Sequence, residues 1–240
     1  MTTLPYDQMP TVIDERSTRM RAAVRDHLHA PVPCCPGWTG RDLVAHLGGV
    51  HRFWAAVVAG PSRSSPPEVD EQPRGDLLSW AEVSTASLVA ALRAAEPERP
   101  VWTWWGEPAT AGAVARHQLQ EAAVHAWDAQ ATAGHPEPLP EAVAADAVDE
   151  FLSISLGAVG RWPDPPATVS LVIPGSPAWN VRLSEAGRHV ERGQPGGDTV
   201  LTGSGSDLLL VLYRRRPPQV LHLDGDRDLA ARFLSWPNLD

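Results

Sequence analysis

Three residues of one predicted helix have the types and the spacing of a metal site. In the segment 118–128, Glu121 and His125 are four residues apart, and Asp128 follows three residues later. Residues at that spacing share one helix face, about 6 Å apart along the axis. A carboxylate and an imidazole so placed can bind one divalent metal ion, with Asp128 orienting the His125 ring. Alone, the pair is weak evidence, because such ion pairs are also common on solvated helix faces.

A second predicted helix supplies a further candidate ligand. His46 falls on the apolar stripe of its helix, in line with Val50 and Phe53. A lone histidine on such a stripe is usually a hydrogen-bonded core residue. A helical bundle, however, brings inward-facing polar residues of different helices together, which is how metal sites in bundles are built. Two imidazoles and one carboxylate leave open coordination positions, which suits a catalytic ion. We therefore predict a site formed by His46, Glu121 and His125.

The other histidines are weaker candidates. His117 precedes Glu121 by four residues and is the alternative third ligand, but this choice leaves His46 unexplained. His51 lies roughly 140° round the helix from His46, so we expect it not to share the site. The remaining histidines are interpreted as surface or loop residues: His27, His29, His135, His189 and His222.

The composition excludes several classes of function. A net charge of -9 argues against a nucleic-acid surface, which needs clustered positive charge. All 20 basic residues are arginine, so no lysine is available as a Schiff-base nucleophile. The two cysteines, Cys34 and Cys35, are adjacent, which predicts neither a disulfide framework nor a zinc knuckle. If thiol chemistry takes place here, we expect the thiol to be an external molecule.

The length and hydropathy predict a soluble, cytoplasmic protein. Its apolar runs are far shorter than the roughly 20 residues that span a bilayer. The first residues lack the basic and apolar regions of a secretory signal. We expect no membrane partner, and a monomer or homodimer.

The first 135 residues predict four helices, and thus a helical bundle that buries four apolar stripes against one another. Thr39, followed by Asp42, has the pattern of a capping box. The expected helices run near 11–30, from Thr39 to about Gly60, from Asp76, and from Thr110 to Gly134, with a proline-rich loop at 61–75. A composition break at 134–140 suggests two domains, 1–138 and 139–240.

The second part predicts a small α+β domain. A helix near 141–159 precedes short β-like segments separated by glycine and proline turns. The segments expected after that helix are strands at 168–173, 179–183, 189–192 and 199–202, a helix near 206–215, a strand near 220–224 and a helix near 226–236. The fold class is therefore two-domain α+β, with a four-helix bundle followed by a smaller α+β domain.

Several motifs resemble a known family. The segment 35–48, which begins Cys-Pro-Gly-Trp and ends with His46-Leu-Gly, is similar to the start of the second helix in mycothiol-dependent maleylpyruvate isomerase-like proteins. These belong to the wider superfamily of DinB-like metal-binding bundles. The pattern from Glu121 to Asp128 resembles the second motif of the family. The tail resembles its small C-terminal domain through the segments 179–183, 201–203, 206–209, 215–217 and 225–226.

The resemblance implies a site, a metal and a cosubstrate. By resemblance the metal ligands are His46, Glu121 and His125, the metal is zinc, and the cosubstrate is mycothiol, an actinobacterial thiol. It also implies a DinB-like bundle and a sterol-carrier-like C-terminal domain. Relatives commonly have histidine immediately before the motif glutamate, where this chain has Gln120. This departure weakens the inference of a shared substrate and leaves the ligand set intact.

The expected function is a metal-dependent enzyme that activates mycothiol, or a similar small thiol, as a metal-bound thiolate. The thiolate attacks a small electrophile, and the outcome is either S-transfer or cis–trans isomerisation. The alternatives are a hydrolase that activates water and a non-catalytic small-molecule binding protein. An anionic substrate needs positive groups, although arginine is also favourable at a helix end for structural reasons. The candidates are Arg215 and Arg216 as catalytic residues, and Arg41, Arg116 and Trp105 as residues that bind the cosubstrate.

Overall fold

The chain folds into two compact units. A computed structural model describes residues 4–61 and 65–237, with one unit at Leu4–Pro138 and the other at residues 139–237. The first unit is helical, and the second combines helices with one five-stranded sheet. The expected two-part α+β fold class is therefore confirmed. Within the described residues, the helices are too short or too polar to cross a membrane.

Four long helices form the first unit. They are α1 (Met9–Val24), α2 (Gly40–Ala59), α3 (Leu77–Ala94) and α4 (Ala111–Thr132). The last three begin directly after the expected caps, because the side chains of Thr39, Asp76 and Thr110 each accept a backbone amide hydrogen bond. Thr39 and Asp42 form the capping box. The cap fixes where α2 starts, and thus which face of α2 carries His46.

Helix α1 ends at Val24, about six residues earlier than the sequence pattern suggested. The segment 27–32 instead lies against the start of α2. At Gly40 the approach is so close that a Cβ atom would lie 2.6 Å from the carbonyl oxygen of His27. Pro31 adds a local reason, since the residue before a proline is disfavoured in helical conformation. The early end of α1 thus provides the surface against which α2 begins.

The apolar faces of the four helices meet in one core. It includes Met20, Val24, Leu43, Leu47, Leu77, Trp80 and Ala126. Helices α2 and α3 approach closely at Gly48, where a Cβ atom would lie 2.2 Å from the Trp80 ring. A glycine inside a helix costs roughly 1 kcal/mol relative to alanine, and here it permits the close contact between the two helices.

The second unit is built on a mixed sheet. Its strand order is β3-β2-β1-β4-β5, with β1 and β4 parallel and the other neighbours antiparallel. The strands are β1 (Ala167–Val172), β2 (Ala178–Ser184), β3 (Gly187–Gly193), β4 (Thr199–Thr202) and β5 (His222–Gly225). The helices are α5 (Glu141–Glu150), α6 (Gly205–Leu212) and α7 (Arg227–Ser235). On β2, Trp179, Val181 and Leu183 are buried, which gives the alternation of a one-sided sheet.

The expectation of one continuous helix over 141–159 is wrong beyond Glu150. The chain continues as a π-helical turn, Phe151–Ser155, and a short 3-10 turn, Leu156–Ala158. The Arg188 side chain donates hydrogen bonds to the carbonyls of Leu152 and Ser153. These carbonyls therefore have a partner outside the helix, which stabilises the irregular turn.

Candidate metal centre

Side chains from α2 and α4 converge at one point of the helical unit. His46 comes from α2, and Glu121 and His125 from α4. The Nε2 atom of His125 lies 3.4 Å from Oε2 of Glu121, and the Nε2 atom of His46 lies 3.8 Å from the same oxygen. Among the described residues, these three form a group whose ligand atoms all lie within 4.8 Å of one another. The structure thus brings together the three residues singled out from the sequence.

Asp128 orients one of the imidazoles. Its Oδ2 atom is 3.0 Å from Nδ1 of His125, and the carboxylate is fully buried. A carboxylate accepts, so Nδ1 carries a proton and donates to Asp128, and Nε2 is the ring nitrogen that faces Glu121. The Cys35 thiol donates to the same oxygen across 3.7 Å. The sequence predicted the part played by Asp128 but gave Cys35 no part in the site, because no local pattern points to this contact.

The charges in this cluster stabilise one another. Burial raises the pKa of the Glu121 carboxyl, but hydrogen bonds with His125 and His46 outweigh burial and hold this pKa well below its ordinary value. Burial lowers the pKa of His125, but Asp128 and Glu121 outweigh it through hydrogen bonds and negative charge, raising the pKa to about 9. Glu121 is therefore a carboxylate at neutral pH, and a cation bound at the site would take the place of the proton on His125.

The centre is buried on one side and accessible on the other. The side chain of His125 is 9% exposed, that of Glu121 is 22% exposed and that of His46 is 37% exposed. Trp38, at the end of the turn before α2, lies with its ring centroid 4.8 Å from that of His46. A small molecule can therefore approach from the His46 side.

His51 and His117 lie in other surroundings. His51 is fully buried, and its Nδ1 atom is 3.1 Å from the Thr85 hydroxyl, which also accepts from Arg21. Burial lowers the pKa of His51 to about 3, so it is a neutral imidazole of the core. His117 is surrounded by tryptophan rings, with its centroid 5.1 Å from that of Trp105. Neither belongs to the group of three candidate ligands.

The other predicted site residues have the following positions. Arg41 is exposed in the first turn of α2, and Arg116 is half-buried on α4. In the second unit, Arg215 donates to the Tyr213 carbonyl at 2.9 Å, and Arg216 forms an ion pair with Asp207. Their roles in binding or catalysis stay predictions.

The donor set fits a divalent metal ion. Two imidazole nitrogens and one carboxylate oxygen, with His125 held by Asp128, are the ligand types of catalytic zinc sites. Three protein ligands leave room for an exchangeable one. The arrangement can therefore hold an ion that polarises a fourth, external ligand.

The fold and the donor set define a helical-bundle protein with a candidate catalytic metal centre, followed by an α+β domain. A family model described as the mycothiol maleylpyruvate isomerase N-terminal domain matches residues 11–130, and the corresponding C-terminal domain model matches residues 142–232. The chain belongs to the mycothiol maleylpyruvate isomerase family, which is a family of enzymes.

Solved structures share the fold along the whole chain. The mycothiol-dependent maleylpyruvate isomerase is 17% identical, with a TM-score of 0.64. A point mutant of a mycothiol-dependent maleylpyruvate isomerase is also 17% identical, with a TM-score of 0.67. In both cases the similarity covers 99% of this chain and 99% of the other. No curated protein matches the sequence significantly.

Proposed function

We propose that this enzyme activates mycothiol, or a closely similar small thiol, at a metal centre formed by His46, Glu121 and His125. The activated thiol attacks a small electrophile, and the outcome is cis–trans isomerisation or S-transfer. The observation that carries the proposal is the convergence of the three ligand atoms within 4.8 Å, in a chain of the mycothiol maleylpyruvate isomerase family. We propose zinc as the ion, on the grounds of the nitrogen and oxygen donor set.

The chemistry requires a deprotonated thiol. A thiol is mostly protonated at neutral pH, and only the thiolate is strongly nucleophilic. A divalent ion at this site would supply the positive charge that favours the thiolate. Glu121 contributes one negative charge, and Asp128 keeps the His125 ring in the orientation that ligation needs.

Isomerisation follows if the thiolate adds to an alkene conjugated with a carbonyl group. The new carbon–sulfur bond forms at the β-carbon, and the alkene electron pair moves to the carbonyl oxygen as an enolate. Rotation about the resulting single bond precedes collapse of the enolate, which expels the thiolate and restores the alkene. The thiolate is regenerated, so the reaction consumes no proton, oxidant or reductant. S-transfer results if sulfur instead displaces a leaving group and remains bound to carbon.

Positive groups are needed for an anionic substrate. We propose Arg215 and Arg216 as the groups that interact with its carboxylates, and Arg41, Arg116 and Trp105 as contacts of the thiol cosubstrate. Since mycothiol is an actinobacterial thiol, we place the reaction in the cytoplasm of an actinobacterium.

Metal content and thiol dependence test the proposal. We expect purified protein to bind about one zinc ion per chain, and His46→Ala and His125→Ala each to lower zinc affinity by at least about 100-fold. Turnover of maleylpyruvate should require both zinc and mycothiol. His189→Ala, an exposed position of the other unit, should leave both unchanged.

The outcomes separate the alternatives. Turnover of ester or amide substrates with zinc, independent of thiol, would indicate a hydrolase. A binding protein would be indicated if wild type and both histidine variants bound the small molecule but none of them turned it over. Unchanged zinc affinity in both histidine variants would refute the metal centre itself.

A further inference from the structure

A continuous aromatic surface lies next to the candidate metal centre. It consists of rings from α2, from the segment before α4 and from α4 itself. We call it the aromatic surface, and its members are Phe53, Trp54, Trp102, Trp104, Trp105 and His117. The ring centroids of contacting members are 5.1–6.2 Å apart. Four of the ten tryptophans of the chain are in this one place.

The aromatic surface and the three ligands lie along the same two helices. The helices run in opposite directions, since His46 contacts Glu121, whereas Trp54, further along α2, contacts His117, which is earlier on α4. His117 precedes Glu121 by four residues, about 6 Å along the same face of α4. Phe53 follows His46 by seven residues, about 10 Å along the same face of α2. The aromatic surface therefore begins one to two helical turns from the ligands.

The edge of this surface is open to solvent. Trp104 is 47% exposed and is one of two exposed large hydrophobic residues among the described positions. The Trp105 indole N–H donates to the carbonyl of Pro108, so it is already engaged within the protein. Trp54 and His117 are buried, and Phe53, Trp102 and Trp105 are half-buried. Trp104 is therefore the member that offers its ring for contact, and its preferred occupant is a planar apolar group.

We propose that Trp104, at the open edge of the aromatic surface, binds an aromatic group of the electrophilic substrate, while the reactive carbon of that substrate lies at the metal centre. This inference rests on the proposed function and names the substrate class. The spacing of about 6–10 Å between ligands and rings predicts an aryl group joined to the reactive carbon directly or through a short linker. Substrates with only small aliphatic groups leave the rings unoccupied and bind more weakly.

Equilibrium binding to metal-free protein tests the surface independently of catalysis. The probes are benzylacetone and the ketone with an ethyl group in place of its phenyl ring, with binding measured by saturation-transfer NMR. We expect wild type to bind benzylacetone about 10-fold more tightly than the aliphatic ketone, and Trp104→Ala to lose most of this difference. Trp104→Phe should retain it. Val83→Ala removes the other exposed hydrophobic side chain, on α3, and should behave as wild type.

Steady-state kinetics with zinc and mycothiol test the link to the reaction. The substrates are the two enones that correspond to these ketones, with phenyl or ethyl on the β-carbon, and a third enone with phenylethyl at that position. We expect Trp104→Ala to raise KM for the two aryl enones about 5- to 10-fold, with little change in kcat and none in zinc affinity.

The two measurements can fail separately. Equal affinity of wild type and Trp104→Ala for benzylacetone overturns the inference, whatever the activity. A selective loss of benzylacetone binding in Trp104→Ala supports the aromatic site even if no enone is turned over, and the proposed function alone then fails. Because Trp104 is exposed, a purely structural role predicts a small effect on stability and none on aryl selectivity.

Discussion

The helical unit and the α+β unit differ in what they bury. His51, His117 and His125 are buried in the helical unit, whereas both histidines of the α+β unit, His189 and His222, are exposed. A buried imidazole costs free energy unless it has a partner. In the helical unit this cost is partly offset by Asp128 and Thr85, each of which contacts one ring. Such a concentration of buried titratable groups is typical of a functional site.

In the α+β unit, two arginine side chains donate hydrogen bonds to backbone carbonyls of the same unit. Arg188 donates to the carbonyls of Leu152 and Ser153, and Arg214 donates to the carbonyls of Ser235 and Pro237. These contacts hold the irregular turn after Glu150 and the C-terminal end of α7. The candidate metal centre lies in the helical unit, while the α+β unit contributes a sheet core of its own. The following predictions test that division.

The largest expected effect is on the stability of the α+β unit. Trp179 is fully buried, its N–H donates to Asp149, and Arg192 lies 3.7 Å above its ring. We expect Trp179→Ala to lower the free energy of unfolding of this unit by about 3–5 kcal/mol. Urea denaturation measures this loss. Zinc titration of the same sample at low urea measures the zinc affinity of the helical unit.

We expect the zinc affinity of Trp179→Ala to stay within about twofold of wild type, since none of the three candidate ligands is in the α+β unit. Trp236→Ala, at a half-buried position, should lose less stability. If zinc affinity fell in parallel with stability, the division between the units would be wrong.

A smaller effect is expected at the residue that orients His125. Asp128→Asn keeps an acceptor for the ring but removes the negative charge. We expect zinc affinity to fall about 10- to 100-fold, as measured by competition with a chelator. Asp146→Asn changes a buried aspartate of the α+β unit and is the matched control, with zinc affinity unchanged. An equal loss of zinc affinity in the two variants would contradict the prediction, because it would show that removing any buried charge lowers the affinity, whether or not the residue contacts His125.

The smallest effect is that of one pH unit on stability. The pKa of His51 is about 3 in the folded chain, against an ordinary value of 6.5, because the ring is buried. Between these values the unfolded chain binds a proton that the folded chain does not. The contribution of His51 to stability is therefore fully present above about pH 6.5 and falls as pH decreases towards 3, by at most about 1.4 kcal/mol per pH unit.

Urea denaturation of metal-free protein over this range measures the slope. We expect His51→Gln to reduce the slope of the free energy of unfolding against pH by an amount that corresponds to about one bound proton. His189→Gln, at an exposed position, should keep the slope of wild type. A His51→Gln curve parallel to that of wild type would contradict the assignment of a neutral, buried His51.

Local signals in the sequence predicted much of the fold and the ligand group. The caps at Thr39, Asp76 and Thr110 were predicted correctly, because capping depends on side chains within three residues of the helix start. The spacing of Glu121 and His125 identified a shared helix face. His46 required the further assumption that an apolar stripe faces the bundle core, and the structure brings it to Glu121.

Contacts between distant segments were not predictable in this way. The Cys35 thiol reaches Asp128 across 93 positions of sequence, and no local pattern indicates that contact. The early end of α1 depends on packing against α2, and the irregular turn after Glu150 depends on Arg188, 36 positions after the carbonyl of Leu152. Each of these features depends on tertiary contacts, and at the two helix ends these contacts add to local effects such as Pro31 in overriding helical propensity.

Gly48 helps to fix the position of α2, the helix that carries His46 of the candidate metal centre. It lies two residues after His46, and thus on the opposite side of α2, where the Trp80 ring leaves no space for a side chain. A larger residue at this position must displace the Trp80 ring or shift α2, and a rotation of α2 swings the His46 imidazole away from Glu121. A designer who transfers the three ligands to another scaffold must therefore transfer the glycine and its tryptophan as well.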